Sequence, residues 1–348
     1  MVKRKRARGP RGKTKAKYGL DDENSKRERW TVSIALPGSI IDNHPSRELR
    51  AYLAGQIARA ATVFSVNEIV VFDDQTVKKT AKDQTEGNTF LCRLLQFAET
   101  PQYLRRTLFA EHPDLRFSGL LNPVMAPHHP SKYEKCKWRE GVAVGPSTGS
   151  GAQGTLVNVG LNRDILVPQQ VKEGARLTVR MRNPKKSGPN EGSLNANKRV
   201  KVMQGALTRL RGEAVSPDEP AIEDGVYWGY NVRFASDLSK VWTESPYKGG
   251  YDYVIGTSEN GDDSLYSSFE LPKFRHLLIV FGGVEGLEVA VDACEELPVE
   301  KKNTRYLFDR YLNACIGQGS KTIRTEEAVL ITLSLLRPHI LRSVEPRC

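Results

Sequence analysis

The chain has 348 residues, 39% of them hydrophobic and 27% charged, with a net charge of +11. That length and apolar fraction support a substantial core in one large or two medium domains, while no apolar run approaches the roughly 18 residues of a membrane span, so no membrane partner is expected. Nine Lys or Arg and no acid fall within residues 1–17, which leaves a net charge of only +2 beyond them. The basicity is therefore a tail and not a surface.

That tail, taken as residues 1–29, is too polar to bury apolar area by itself and is expected to be disordered. It lacks the apolar stretch of a signal peptide, so the protein is expected inside the cell. Lys3-Arg4-Lys5-Arg6 suits nuclear import, and the tail as a whole suits phosphate contacts that read no sequence; a merely solubilising tail is the alternative. Trp30–Leu36 reads as a buried strand ended by Pro37-Gly38, Ser46–Phe64 as a helix with Ser46 as N-cap, and Asn67–Phe72 as a second apolar strand. Strand, helix, strand is a βαβ unit and implies a parallel sheet covered by helices. Asn88–Ala98 and Pro101–Phe109 read as two further helices.

From about Trp138 to Phe234 the texture changes to short β-type runs, GVAVG, GTLVNVG, ARLTVRMR, RVKVM and VYWGYNVRF, separated by Gly, Ser, Pro and Asn. Such spacing predicts a small all-β module over 138–235, OB-like or a general five-stranded barrel, inserted into an α/β domain formed by 30–137 and 236–348. Asn183–Asn197 reads as a polar loop whose Lys185 and Lys186 suit a phosphate backbone or plain solvation. The α/β texture then returns, with strands expected at Tyr251–Ile255, His276–Phe281 and Tyr306–Asn313 and a helix from about Thr325 to Leu336. The five cysteines are odd in number and form no CxxC pair, so free thiols are expected, with neither a disulfide framework nor a zinc site. His128-His129 has no third ligand at metal spacing and reads as a surface loop.

Each of the three C-terminal strands runs into a small-residue loop: IGTSENG (Ile255–Gly261), VFGGVEGLE (Val280–Glu288) and NACIGQGSKTIRTEEA (Asn313–Ala328). Ligands of open α/β sheets bind beyond the carboxyl ends of the strands, where glycine lets backbone approach closely. Three such loops in succession point to a small-molecule crevice. GQGSKT fails the P-loop pattern and no GxGxxG follows the first strand, which excludes a triphosphate loop and a dinucleotide fingerprint.

The segments ALPGSIIDN (Ala35–Asn43), YLAGQIARA (Tyr52–Ala60), NEIVVFDD (Asn67–Asp74), REGVAV (Arg139–Val144), GYDYVIGTSENG (Gly250–Gly261), LPKFRHLLIVFGGVEGLE (Leu271–Glu288) and QGSKTIRTEEA (Gln318–Ala328) together resemble the SPOUT RNA methyltransferases. The resemblance is to the branch with an inserted OB-like module rather than to the tRNA ribose methylases, and it spans almost everything after the tail. It implies an α/β fold with a trefoil-knotted parallel sheet, S-adenosylmethionine as cofactor, and RNA as partner; the basic tail points to a base of ribosomal RNA or of a pre-ribosome as target, and a ring nitrogen such as uridine N3 is a candidate atom. It also implies a homodimer or a heterodimer with a paralogue, and with the tail it implies a nuclear, nucleolar setting. The donor contacts of the family fall on Gly256, Thr257 and Ser258, on Gly282, Gly283, Glu285 and Gly286, and on Cys315, Ile316, Gln318, Gly319, Ser320 and Ile323.

For chemistry at a ring nitrogen the proton must leave, and a cation that stabilises the developing anion helps. Arg324 is the candidate cation, against an ion pair with Glu326 or Glu327; Thr325 and the two glutamates suit a helix start. Asp42 and Asn43 are candidates to orient the acceptor from a partner subunit, against an Asx turn before the helix. The alternative for the whole chain is an inactive scaffold of ribosome assembly that keeps the fold; a spindle component rests on resemblance alone.

Overall fold

The computed structural model describes residues 30–74, 81–147, 153–182, 210–261, 263–264 and 269–344. The basic tail, the loop Asn183–Asn197 with Lys185 and Lys186, and the run Arg199–Met203 lie outside the described residues.

The chain opens with β1 (Thr31–Pro37), a short 3-10 turn (Gly38–Asn43), helix α1 (Arg47–Val63) and β2 (Glu68–Phe72), followed by α2 (Ala81–Glu99) and α3 (Gln102–Leu108). Ser46 caps α1 as expected, its hydroxyl accepting from the Leu49 N–H at 3.3 Å. All seven residues of β1 and all five of β2 are buried, as continuous apolar runs require when helices cover both faces of a parallel sheet.

Five antiparallel strands come next: β3 (Trp138–Pro146), β4 (Thr155–Asn158), β5 (Ile165–Val167), β6 (Arg176–Met181) and β7 (Gly212–Val215). They form a separate sheet in the order β5-β4-β3-β6-β7. A bridge between Leu166 and Arg211, together with the Leu166 N–H to Leu210 carbonyl bond of 3.0 Å, brings the two edge strands together and nearly closes a barrel. Its core is small and β-branched, built on Val157, Val159, Ile165, Val167 and Val179.

A six-residue helix α4 (Glu219–Asp224) leads out of this module into β8 (Asn231–Ala235). The run Val226–Phe234, expected as a barrel strand, instead supplies β8 to the parallel sheet, where it pairs with β2 from Glu68↔Asn231 to Phe72↔Ala235. Composition alone does not choose between the two sheets, because an edge strand alternates like a barrel strand.

The remaining elements are α5 (Leu238–Thr243), β9 (Tyr253–Thr257), the two-residue β10 (Asp263–Ser264), β11 (His276–Val280), α6 (Leu287–Ala293), a 3-10 segment (Lys301–Leu307), β12 (Arg310–Asn313) and α7 (Thr325–Val344). The strand expected over Tyr306–Asn313 is thus only its second half. The parallel sheet has the order β10-β12-β9-β11-β1-β2-β8, with β1 at its centre between β11 and β2. Its two faces divide by strand periodicity: Val32, Ile34 and Leu36 pack under α1, α2 and α7, while Ala35, Val70 and Phe72 pack with Leu238, Val241 and Leu287 of α5 and α6.

Helix α7 continues past Pro338 to Val344, although proline inside a helix ordinarily ends it. The far half stays helical because Ile340 is buried in the main core and the Ser343 hydroxyl donates to the Pro272 carbonyl. His128 is fully buried rather than part of a surface loop. Its Nε2 lies 2.9 Å from a carboxylate oxygen of Glu99 at the end of α2, and the other face of that carboxylate takes a forked pair from Arg176 of β6 at 2.7 and 3.0 Å. Arg176 also donates to Glu140 of β3 at 2.7 Å. The barrel is thereby fastened to the helical layer through a buried charged cluster.

Candidate active site

The three loops expected to form a crevice do so. β9, β11 and β12 are neighbours or next-neighbours in the sheet and all run parallel, so their carboxyl ends open on one edge, where a cavity of about 250 Å³ lies. Side chains on the first and third loops bind the main chain of their neighbours. Thr257 Oγ1 donates to the Val280 carbonyl at 3.0 Å, Asn313 Nδ2 to the Glu259 carbonyl at 2.6 Å, and Thr325 Oγ1 to the Gly282 carbonyl at 3.0 Å. Loops that satisfy one another's backbone groups hold their shape without a ligand.

Glycine is required here by close approach. A Cβ on Gly282 would stand 2.6 Å from the Gly286 carbonyl carbon, and one on Gly261 2.3 Å from that of Leu312. Gly286 sits at φ +83°, a left-handed backbone that side chains strain to adopt. The Gly286 N–H closes the turn by donating to the Gly283 carbonyl at 3.1 Å.

Of the residues the resemblance puts on the donor, Thr257, Ser258, Gly282, Gly283, Glu285, Gly286, Cys315, Gln318 and Ile323 line the cavity, whereas Gly256, Ile316, Gly319 and Ser320 do not. Gly256 is buried inside β9, where a Cβ would meet the Phe308 ring at 2.6 Å. Ile316 is 55% exposed, and Gly319 and Ser320 are exposed on the outer part of the third loop. The lining also includes Phe281, Leu312, Ala314 and, from the first turns of α7, Ala328, Ile331 and Thr332. The last three follow the i, i+3, i+4 spacing of one helix face, which is the signal that would have found them. Glu259, Glu285 and Glu288 add carboxylates to a cavity otherwise neutral in its lining, and Tyr311 donates to Glu288 at 2.7 Å.

None of Arg324, Asp42 and Asn43 lines the cavity. Arg324 precedes α7 as its cap: the Glu327 carboxylate accepts from the Arg324 N–H at 3.0 Å, while the Arg324 carbonyl accepts from Ala328 at 2.8 Å. Thr325, expected as the cap, uses its hydroxyl on the second loop instead. The Arg324 side chain is exposed and forms no ion pair with Glu326 or Glu327 among the described residues; Glu326 is buried and faces His44 at 4.0 Å. That contact brings the turn carrying Asp42 and Asn43 against the start of α7. Asp42 approaches Arg50 at 3.8 Å and Asn43 is exposed. Among the described residues no group of three His, Cys, Asp or Glu has metal-binding geometry, and no helix is long and apolar enough to cross a membrane.

Residues 31–336 match the model of a family described as "Putative RNA methyltransferase". The chain belongs to this family. The matched residues span both the parallel sheet and the antiparallel barrel. Relatives with the printed name 28S rRNA (uridine-N(3))-methyltransferase include one from Mus musculus, 46% identical over 89% of this chain and 77% of its own length, and one from Homo sapiens, 43% identical over 93% and 84%. A third, from Drosophila melanogaster, is 43% identical over 89% of this chain and 62% of its own length. A methyltransferase requires a methyl donor, and the cavity at the strand ends, about 250 Å³, falls just below the range for small-molecule sites, about 300–1,000 Å³.

Proposed function

We propose that the chain methylates a base of large-subunit ribosomal RNA, at N3 of a uridine, with S-adenosylmethionine as donor bound in the three-loop cavity. The observation that carries this reading is the crevice itself: three glycine-rich loops, cross-bonded at the carboxyl edge of a parallel sheet, in a chain whose relatives at 43–46% identity bear that activity in their names.

The residues present suit the donor. Phe281, Leu312, Ile323, Ala328 and Ile331 give an apolar slot for adenine. Glu259, Glu285 and Glu288 complement a cationic ligand. The bound donor would supply an electrophilic methyl on a sulfonium. The chain's part is then alignment, because an in-line displacement gains most from fixing nucleophile and methyl in one geometry. As N3 of uridine loses its proton, negative charge grows on the base, and the exposed Arg324 guanidinium, next in sequence to the lining residues Ile323 and Thr325, would be the cation to stabilise it. Asp42 and Asn43, on the turn against α7, would orient the acceptor.

Three further features belong to the same reading. The sheet is of the SPOUT type, with a trefoil knot formed around the three loops, and the barrel is OB-like. The unit is a dimer, with itself or a paralogue, formed through α1 and α7, each of which leaves apolar side chains exposed: Leu49 and Tyr52 at 47% and Leu330 at 49%. The setting is the nucleus, and within it the nucleolus, supported by the basic tail and a ribosomal target.

The deciding experiment follows transfer of a radiolabelled methyl group from S-adenosylmethionine to ribosomal RNA, alongside calorimetric titration of the donor. Wild type is expected to bind donor and to label uridine. Arg324→Ala is expected to bind donor unchanged while kcat falls about a hundredfold, the scale of one lost transition-state donor. A folded protein that binds no donor in its oligomeric form would overturn the enzyme reading and leave the scaffold one.

A further inference from the structure

The mechanism makes no use of Arg139, although it has the largest side chain among those almost wholly buried in the described fold. Burying a guanidinium is costly unless its hydrogen bonds are met. Here they go to main-chain carbonyls: Ser131 at 2.8 Å, Glu134 at 2.7 Å and Val159 of the barrel at 3.3 Å. Two of those carbonyls belong to one tight turn. Within it the Glu134 N–H donates to the Ser131 carbonyl at 3.2 Å, and the Glu134 carboxylate accepts from the Ser131 N–H, also at 3.2 Å. A buried cation and a carboxylate thus both fix the backbone of a surface turn.

What this rigid turn presents is Tyr133, 89% exposed, between Lys132 and Lys135, both exposed. Among the described residues nothing pairs with any of the three. The nearby acids Glu223 and Asp224 are engaged by Lys137, at 2.8 and 2.9 Å, and Glu134 by its own turn. An exposed tyrosine alone needs no explanation. An exposed tyrosine held on a turn locked from inside, with an unopposed ammonium on either side, has the chemistry of a platform for a nucleic-acid base. The ring stacks on any base, the lysines meet the flanking phosphates, and pre-organisation removes the ordering cost of binding.

We propose that the turn 131–135 is an RNA contact separate from the donor cavity, where an unpaired base of the substrate stacks on Tyr133 while Lys132 and Lys135 hold the adjacent phosphates. The proposal rests on the reading of the chain as an RNA methyltransferase. None of its residues lines the cavity, so its effect falls on RNA affinity and not on donor affinity.

The test measures fluorescence anisotropy of the full chain with a labelled single-stranded oligouridylate of about 20 nucleotides and with a duplex RNA of equal length. Tyr133→Ala is expected to weaken single-strand binding about tenfold, Tyr133→Trp to restore it, and Tyr133→Leu not to. Duplex binding and calorimetric affinity for the donor are expected to stay at wild-type values. The Lys132→Ala, Lys135→Ala double variant is expected to reduce the slope of log affinity against log salt by about 1.4, two phosphates at the single-strand value. A wild type that methylates RNA while Tyr133→Ala binds the single strand equally well overturns this inference alone, as does rescue by leucine as complete as by tryptophan. A wild type that neither binds RNA nor methylates it overturns the methyltransferase reading and the inference with it.

Discussion

Gly282 and Gly283 are adjacent in the second loop, yet they differ in what a side chain would meet. At Gly282 an added Cβ stands 2.6 Å from both the Gly286 carbonyl carbon and the Leu287 nitrogen, so backbone must shift. At Gly283 the nearest atoms are Ser39 Oγ at 3.5 Å and Asp74 Oδ2 at 3.7 Å, ordinary contact distances. Gly282→Ala is therefore expected to weaken donor binding at least tenfold and Gly283→Ala to leave it within about twofold, compared by calorimetry on folded protein; a tenfold loss is about 1.4 kcal/mol. Equal effects of the two alanines would show that the Gly282–Gly286 approach does not shape the cavity. The sequence reveals that glycines cluster at three strand ends. It does not reveal which of them face the crevice: Gly256 belongs to the same motif as Thr257 and Ser258 but lies against Phe308, because alternate strand residues point to opposite faces.

At the scale of elements, the periodic segments were legible and their partners were not. α1 and its serine cap follow from local pattern, as does the burial of β1 and β2. β8 reads by texture as part of the barrel, but the parallel sheet takes it because β2 offers an open edge. His128 reads as surface in a loop between prolines, yet a buried carboxylate 29 residues away draws it in. That junction makes a prediction about acid. Burial alone would raise the Glu99 carboxyl, but hydrogen bonds from His128 and Arg176 override it and hold it at about 2, against 4.5 for the ordinary group. Burial and the neighbouring His128 depress His129 to about 4 from 6.5. Both groups bind protons more readily when unfolded, so both stabilise the fold above their ordinary values and lose that contribution on acidification. Thermal melting should fall as pH drops from 6.5 toward 4 through His129, and further from 4.5 toward 2 through Glu99. Glu99→Gln, which leaves His128 without its anion and Arg176 with Glu140 alone, should cost about 3 kcal/mol at neutral pH and flatten the lower limb. A lower limb of unchanged slope in the variant would place the acid sensitivity elsewhere.

For the molecule as a whole, chain order and sheet order diverge. The strands of the sheet run β10-β12-β9-β11-β1-β2-β8, so the cavity is assembled entirely from the C-terminal part while the sheet's centre comes from its beginning. A parallel sheet with a central first strand leaves two helices, α1 and α7, packed side by side over one face, and their inner surfaces are accounted for by Leu53, Ile57, Val329, Leu333, Leu336 and Ile340. From its second turn on, the outer stripe of α7 runs through Leu330, Ser334, Pro338 and Leu341, all exposed at helical spacing and uncharged, with the exposed Glu327 one turn before it. Solvated helix faces are ordinarily polar, so an uncharged outer stripe beside the exposed Leu49 and Tyr52 of α1 is the surface on which a second subunit would close. The proposed dimer can be tested without touching the cavity, since Leu330 does not line it. Leu330→Asp should shift the protein from dimer to monomer in light scattering, with its far-ultraviolet spectrum unchanged, because a carboxylate buried in an apolar interface without a partner costs several kcal/mol. If Asp42 and Asn43 serve the partner's acceptor, methylation should fall with the dimer while any donor affinity held by a single subunit persists. A monomeric wild type would remove α1 and α7 as a pairing face and confine the site to residues of one chain.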